Sequence, residues 1–144
     1  MDLNGISAIV TGGASGLGEA TVRLLAERGA RCVVVDMNPD KGEAVAKDVN
    51  GVFVQADVAN PDQVIEAVEA AKDLGPLRAL VTAAGVGWAT RTIGRDGEYA
   101  SAHDLDIFKK VIEVNRSAPS TASVWPPPPW ARTSRWPTTR RAPS

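Results

Sequence analysis

The stretch TGGASGLG, residues 11–18, lies between a short apolar run and a segment with helical periodicity. The preceding run, residues 7–11, reads SAIVT and predicts a buried strand. Apolar residues then recur at helical spacing, and Gly29 predicts the end of that helix. A glycine-rich turn at a helix N-terminus offers free backbone N–H groups and the positive end of the helix dipole. The sequence therefore predicts a turn that binds an anion such as a phosphate.

The alternation of strand and helix continues beyond this turn. Further strands are predicted at residues 32–36, 51–57 and 77–85. Between the last two of them, Asn60 predicts a helix N-cap and Gly75 the end of that helix, and another helix is predicted over residues 104–115. Alternating elements of this kind predict parallel strands joined by right-handed crossovers. We therefore expect an α/β fold, part of a doubly wound parallel sheet with strand order 3-2-1-4 and the fourth strand at an edge.

An acidic residue follows the glycine-rich turn at the distance that dinucleotide sites favour. Asp36 ends the second predicted strand, about 20 residues after the turn. Its carboxylate can accept hydrogen bonds from both hydroxyls of an adenosine ribose, and it would repel a 2′-phosphate. The pattern predicts NAD rather than NADP as cofactor. The alternative is a plain glycine turn followed by a solvent-facing aspartate that ends a strand.

The spacing Thr-Gly-x-x-x-Gly-x-Gly, with its glycines at Gly12, Gly16 and Gly18, resembles the short-chain dehydrogenase/reductase family. Later motifs agree: ADV at residues 56–58, TAAG at 82–85 with Thr82 where the family has Asn, and VIEVN at 111–115. The resemblance covers residues 1–115. It implies a partial Rossmann domain and oxidation of a secondary alcohol, with hydride passing to NAD.

Several stretches resemble one branch of that family, the type II 3-hydroxyacyl-CoA dehydrogenases. They read SGLGEATVRLLAERGA, VVVDMN and GVFVQADV, and a long insertion precedes VIEVN. This similarity implies an alcohol or ketone substrate of the acyl-CoA or hydroxysteroid kind.

The resemblance also implies which residues form the site. Asn115 takes the place of the asparagine in the family's catalytic tetrad. The cofactor contacts fall on Gly12, Ser15, Gly16, Leu17, Gly18, Asp36, Asp57, Val58, Ala83, Ala84 and Gly85. No metal site is predicted.

The family's remaining catalytic groups, a Ser and a Tyr-x-x-x-Lys pair, have no counterpart. A phenol near pKa 10 needs a neighbouring cation to act as a base at neutral pH. The single tyrosine, Tyr99, has His103 four residues later and precedes the motif's expected position. We interpret Tyr99 as a loop residue, His103 as a surface residue, and Lys109 and Lys110 as the solvated face of their helix. The chain alone is predicted to be an inactive NAD-dependent oxidoreductase.

The composition changes after Asn115. Residues 1–115 hold 11 Lys and Arg against 17 Asp and Glu, a net charge of −6, whereas residues 116–144 hold five Arg and no acid. That second segment, a Pro/Arg-rich tail, also holds seven of the ten prolines and three of the four tryptophans. We therefore divide the chain into a dinucleotide-binding domain, 1–115, and a tail, 116–144, predicted to be disordered.

Two other interpretations of the tail remain. WPPPPW, residues 125–130, could form a polyproline II ligand, which would make the chain a non-catalytic dinucleotide-binding module with an interaction tail. The other is a frameshift just after Asn115 with early termination. Back-translation of residues 116–121 and 123–130, shifted by one base, permits Val-Gly-Thr-Phe-Asn and Arg-Leu-Ala-Ala-Ala-Ala-Met. These shifted readings match the helix that follows the asparagine in the family.

Composition also limits partners and compartment. A net charge of −1 gives no reason to expect nucleic acid, and no apolar stretch is long enough for a membrane span. The single cysteine, Cys32, predicts a reducing compartment and a buried, inert thiol. The N-terminus lacks the features of a signal peptide, so a cytoplasmic location is expected. The parent enzyme is expected to be a homo-oligomer through contacts this chain lacks, and the chain itself to be marginally stable.

Overall fold

The computed structural model describes residues 2–88 and 91–124. Its elements alternate between strand and helix along the chain. They are β1 Ser7–Thr11, α1 Gly16–Glu27, β2 Arg31–Asp36, α2 Pro39–Asp48, β3 Val52–Gln55, α3 Pro61–Leu74, β4 Leu77–Thr82, a single 3₁₀ turn at Tyr99–Ser101, and α4 Leu105–Val124.

All four strands form one parallel sheet in the order β3-β2-β1-β4, which confirms the predicted topology. Ile9 at the centre of β1 is in register with Val33 on one side and Leu80 on the other. The centres of β1 and β2, residues 8–10 and 32–35, are buried apolar residues, as expected for parallel strands covered on both faces. β4 lies at one end of the sheet, also as predicted.

Helices cover the two faces of the sheet and form two apolar clusters. On one face, Val10 and Val34 pack with Val22 of α1 and Val45 of α2. On the other, α3 packs its buried stripe of small and branched residues against the sheet. The parallel strands therefore all point their carboxyl ends toward the same rim, where the connecting turns meet.

Asparagine side chains cap two of the helices, and the cap of α3 is the one that the sequence predicts. The Asn60 side chain accepts hydrogen bonds from the first-turn N–H groups of Asp62 and Gln63, and Pro61 opens α3. Asn38 caps α2 in the same way through the Lys41 N–H. At the other end of α3, Gly75 has φ +154°.

α4 differs from its predicted bounds. The Asp104 carboxylate caps its start by accepting from the N–H groups of Asp106 and Ile107. The helix then continues to Val124, nine residues beyond the predicted end at Asn115. Extending a formed helix adds one hydrogen bond at each residue with an N–H, so Ser, Ala and Thr can follow an existing helix that they would not nucleate, although Pro119 among them lacks an N–H. The prediction of disorder for residues 125–144 lies outside the described residues.

Candidate functional site

One cavity of about 450 Å³ opens at the carboxyl ends of the four strands. The eleven residues predicted to contact a cofactor all line it: Gly12, Ser15, Gly16, Leu17, Gly18, Asp36, Asp57, Val58, Ala83, Ala84 and Gly85. Sequence positions up to 73 residues apart are thus brought together by the parallel topology. Dinucleotides bind at this rim in doubly wound sheets, where the strand order reverses.

The glycine-rich turn packs too closely for side chains at two of its positions. Gly12 has φ +68°, and a Cβ built there would lie 2.6 Å from the Ala84 backbone nitrogen. A Cβ at Gly18 would overlap the Gly12 carbonyl oxygen. These glycines let the turn after β1 lie against the turn after β4. Gly16, at φ +55°, has open space around its Cβ position and serves the backbone conformation alone.

The N-terminus of α1 faces this cavity without a side-chain cap. Ser15 occupies the N-cap position in an extended conformation, and its hydroxyl makes no capping hydrogen bond. Asparagine or aspartate side chains cap the first turns of α2, α3 and α4. The first-turn N–H groups of α1 therefore remain available to an anion.

Asp36 is held in place by two backbone groups. Its Oδ2 accepts from the Ala14 N–H at 3.1 Å, and its Oδ1 accepts from the Asn38 N–H at 3.0 Å. The carboxylate thus ties the glycine-rich turn to the end of β2. A carboxylate oxygen accepts more than one hydrogen bond, so both oxygens can still accept from hydroxyl donors in the cavity.

Asp57 is oriented in a similar way after β3. Its Oδ1 accepts from the Ala59 N–H at 2.9 Å, and its own N–H donates to Gln63 Oε1 at 2.7 Å. Its Oδ2 lies 3.7 Å from Lys110 Nζ on α4. Both lysines of the predicted solvated face are exposed: Lys109 pairs with the exposed Asp106, and Lys110 pairs with Asp57. The sequence could not show this contact, because it joins positions 53 residues apart.

Asn115 fastens α4 to the turn after β4. Its Oδ1 accepts from the Val86 N–H at 2.9 Å, and its Nδ2 donates to the Val86 carbonyl at 3.0 Å. A Cβ on Gly85 would lie 3.2 Å from the same Oδ1. The neighbouring Val114 is buried and lines the cavity. The Asn115 side chain thus positions one wall of the cavity and is not itself among the lining residues.

The sequence missed five of the lining residues. They are Val35, Met37, Ala56, Val86 and Val114. Three of them flank the predicted Asp36 and Asp57, so adjacency to a predicted site residue was the available signal. Val86 and Val114 also adjoin predicted residues, Gly85 and Asn115, but their place in the lining depends on the packing of α4.

Tyr99 and His103 lie in a loop away from the cavity lining, and His103, predicted to be a surface residue, is half-buried with its ring edge-to-face against Phe108. The Tyr99 ring is 93% exposed on the 3₁₀ turn. Ser101 organises this loop by accepting from the Gly94 N–H and donating to Asp96, a contact that lowers the pKa of the Asp96 carboxyl. The His103 N–H closes the loop on the Thr92 carbonyl.

Other sequence expectations concern single residues and long helices. Cys32 is buried in β2, and burial raises the pKa of its thiol to about 11, so the thiol is protonated at neutral pH.

Across residues 2–88 and 91–124, no cluster of His, Cys, Asp or Glu could hold a metal ion. In the same part of the chain, no helix is long and apolar enough to cross a membrane.

Comparison with known proteins agrees with this geometry. The model of the short chain dehydrogenase family matches residues 7–125, and the chain belongs to that family. The match ends ten residues beyond Asn115, where the resemblance was expected to stop.

One curated relative is the 3-hydroxyacyl-CoA dehydrogenase type-2 of Drosophila melanogaster, 41% identical over 111 residues, which are 75% of this chain and 43% of the relative. The crystal structure of 3-hydroxyacyl-CoA dehydrogenase type-2 from Mycobacterium avium is 39% identical, with a TM-score of 0.71 over 87% of this chain and 52% of that one. The 3-ketoacyl-(acyl-carrier-protein) reductase from Brucella melitensis, complexed with NADH, is 30% identical, with a TM-score of 0.72 over 84% of this chain and 48% of that one. The chain spans less than half the length of the curated relative.

Proposed function

We propose that this chain is the NAD-binding part of a short-chain dehydrogenase that oxidises a secondary alcohol, and that the chain is inactive by itself. The observation that carries the proposal is the placement of Asp36. Its carboxylate lies at one end of the cavity whose other features are the glycine-rich turn and the uncapped N-terminus of α1.

The cavity suits the separate parts of a dinucleotide. A pyrophosphate fits the first-turn N–H groups of α1 at Leu17 and Gly18, because both the free donors and the helix dipole favour negative charge there. Asp57 and Val58 border the cavity beyond Asp36 and would flank an adenine ring. The loop of Ala83, Ala84 and Gly85 has no bulky side chain and permits close approach of the rest of the cofactor.

The charges favour NAD over NADP. The cavity lining includes Asp36 and Asp57 and, among the described residues, no lysine or arginine. A 2′-phosphate on the adenosine ribose would therefore meet a carboxylate without a compensating cation. The Lys110 ammonium is near Asp57, at the adenine end, and is already paired there.

The chain is proposed to be inactive because it lacks the base that the reaction needs for proton transfer. NAD, when bound, accepts the hydride from the alcohol carbon. Removal of the hydroxyl proton needs a base, which the family supplies as a tyrosine with a lysine four residues later. The one tyrosine is Tyr99, and residues 116–144 contain neither tyrosine nor lysine. For the parent enzyme, we propose a substrate of the acyl-CoA or hydroxysteroid kind. A homo-oligomeric state and a cytoplasmic location are proposed for the parent enzyme as well.

Nucleotide binding to the full chain tests the proposal. NADH should bind, and NADPH should bind more weakly, as measured by calorimetry. Asp36→Asn keeps the size of the side chain and removes its charge, so NADH affinity should fall by about tenfold, in line with the loss of a charge-assisted hydrogen bond. NADPH affinity should rise, because the charge that opposes the 2′-phosphate is removed.

Asp73→Asn, an exposed aspartate on α3, is the matched control and should leave both affinities unchanged. Equal binding of NADH by Asp36→Asn and the parent chain would contradict the ribose assignment. Absence of any dinucleotide binding by the folded chain would contradict the proposal as a whole.

The second candidate, a non-catalytic dinucleotide-binding module with a proline-rich interaction tail, is favoured by the sequence WPPPPW at residues 125–130. A synthetic peptide of residues 124–137 binding to an SH3 or WW domain would support it. Alcohol oxidation by the chain would contradict both candidates, because each of them lacks the base.

A further inference from the structure

The carboxylate of Asp57 is held by two different groups at the border of the cavity. Its Oδ1 accepts from the Ala59 N–H at 2.9 Å, within the turn that follows β3. Its Oδ2 lies 3.7 Å from Lys110 Nζ of α4, close enough for an ion pair and too far for a hydrogen bond. Oδ2 therefore keeps its capacity to accept from a donor in the cavity that Asp57 lines.

The ion pair with Lys110 restricts the rotation of the Asp57 carboxylate. The hydrogen bond at Oδ1 alone leaves that group able to turn, because the terminal torsion of an aspartate has only broad preferences. The charge of Lys110 attracts the other oxygen toward α4. Together the two contacts fix the orientation in which the carboxylate borders the cavity.

Lys110 exerts this effect from outside the cavity lining. Its side chain is 57% exposed, and its ammonium also lies 3.9 Å from Glu113, three residues later on α4. An exposed ion pair of this kind adds little to the free energy of unfolding. Because Lys110 does not line the cavity, it orients Asp57 without taking the place of a ligand.

We propose that Lys110 is a positioning residue for the cofactor, an inference that rests on the proposed binding of NAD. Lys110 holds the Asp57 carboxylate ready to accept from the amino group of an adenine. Such preorganisation removes part of the entropic cost of ordering the acceptor when the ligand binds. Lys110 contributes through Asp57 and not through a contact of its own with the base.

Lys109 offers a matched comparison on the same helix. It carries the same charge and is 64% exposed, but it pairs with Asp106, whose side chain is 88% exposed. Asp106 does not line the cavity. Lys109→Met therefore removes one positive charge and one exposed ion pair from α4, as Lys110→Met does, and leaves Asp57 paired.

Calorimetric titration of the full chain with NADH at about 0.15 M salt tests the proposal, since this salt screens charges more than about 8 Å apart. Lys110→Met should lower NADH affinity by about fivefold, the upper range for an exposed ion pair. Lys109→Met should leave the affinity unchanged. Lys110→Arg keeps the charge and should retain the affinity of the parent chain.

Two further titrations locate the effect of Lys110. ADP-ribose keeps the adenine end of the cofactor and lacks the nicotinamide, so Lys110→Met should weaken its binding by the same factor. In a chain that already carries Asp57→Asn, Lys110→Met should cause no further loss, because the carboxylate that it positions is gone.

Amide hydrogen exchange of the chain without nucleotide gives a readout that does not depend on binding. The Ala59 amide, which donates to Asp57 Oδ1, should exchange faster in Lys110→Met than in Lys109→Met. Urea unfolding should give the two variants the same stability, which excludes a general loss of structure as the cause.

The outcomes separate this inference from the proposed function. NADH binding by the parent chain that Lys110→Met does not weaken would overturn the role of Lys110 and leave NAD binding intact. Tighter binding by Lys110→Met would overturn it too, because Lys110 would then compete with the adenine for Asp57. An equal loss in the Asp57→Asn background would show that Lys110 acts by another route. A folded parent chain that binds no dinucleotide would contradict both proposals.

Discussion

At the scale of single residues, the site depends on side chains whose hydrogen-bonding capacity is already partly used by the fold. Asp36 holds the glycine-rich turn through the Ala14 N–H, and Asp57 accepts from the Ala59 N–H. A ligand would therefore meet carboxylates in fixed orientations. Such preorganisation lowers the entropic cost of binding, because the groups need not be ordered at that moment.

Cys32 gives a pH prediction at this scale. Its thiol has a pKa of about 11 in the fold, raised by burial from the value of 9.0 expected when exposed. Below pH 9 the thiol is protonated in both the folded and the unfolded chain, so it does not contribute to the pH dependence of the free energy of unfolding. Between these two values the unfolded chain loses the proton and the folded chain keeps it, so the free energy of unfolding should fall as the pH rises.

Urea unfolding across this alkaline range measures the effect. Cys32→Ala should have lower stability at neutral pH, because it leaves a small cavity, and a flatter dependence on pH above 9. Parallel curves for the two proteins would contradict the prediction.

Asn115 gives a second residue-scale prediction. Asn115→Ala removes both hydrogen bonds to the Val86 backbone and should lower the free energy of unfolding by about 1–2 kcal/mol. Urea unfolding measures this loss, and hydrogen exchange should show a faster Val86 amide. Arg116→Ala, at the next position, is the control. If Asn115→Ala loses no more stability than Arg116→Ala, the two hydrogen bonds between Asn115 and Val86 do not hold α4 in place.

At the scale of elements, the sequence predicted structure best where a local cause sets it. Asn60, Pro61 and Gly75 mark the ends of α3 through their own conformations and hydrogen bonds, and the prediction was right there. The glycine-rich turn belongs to the same group. The predicted end of α4 was wrong, because the helix continues through residues 116–124 despite Pro119, which has no N–H to donate within it.

Tertiary contacts explain what the sequence could not give for the site. The residues next to strand ends were predictable, since parallel strands deliver their following turns to one rim. The contact of Lys110 was not predictable, and Val86 and Val114 were indicated only by their neighbours Gly85 and Asn115, because the placement of all three follows from how α4 packs. A pattern of lysines on a helix does not indicate which one meets a carboxylate on another element.

At the scale of the whole molecule, the change in composition after Asn115 leads to a prediction about the gene. The chain belongs to a family whose matched curated relative is more than twice the aligned length, and its tail permits a family-like reading in a shifted frame. We expect the coding DNA, read one base out of register after codon 115, to continue the family pattern and to encode a Tyr-x-x-x-Lys downstream. Sequencing the coding DNA tests this prediction. If the shifted reading frame lacks a Tyr-x-x-x-Lys motif, the frameshift hypothesis is wrong.

The uncapped start of α1 has a consequence for the stability of the whole chain. The other α-helices carry their own caps, whereas α1 leaves its first N–H groups to a solute. A bound pyrophosphate would act as the missing cap, so the dinucleotide would be a folding ligand as well as a cofactor. The folded population would then rise with the ratio of free dinucleotide to its dissociation constant, and the amount of intact chain in a cell would follow the supply of the nucleotide.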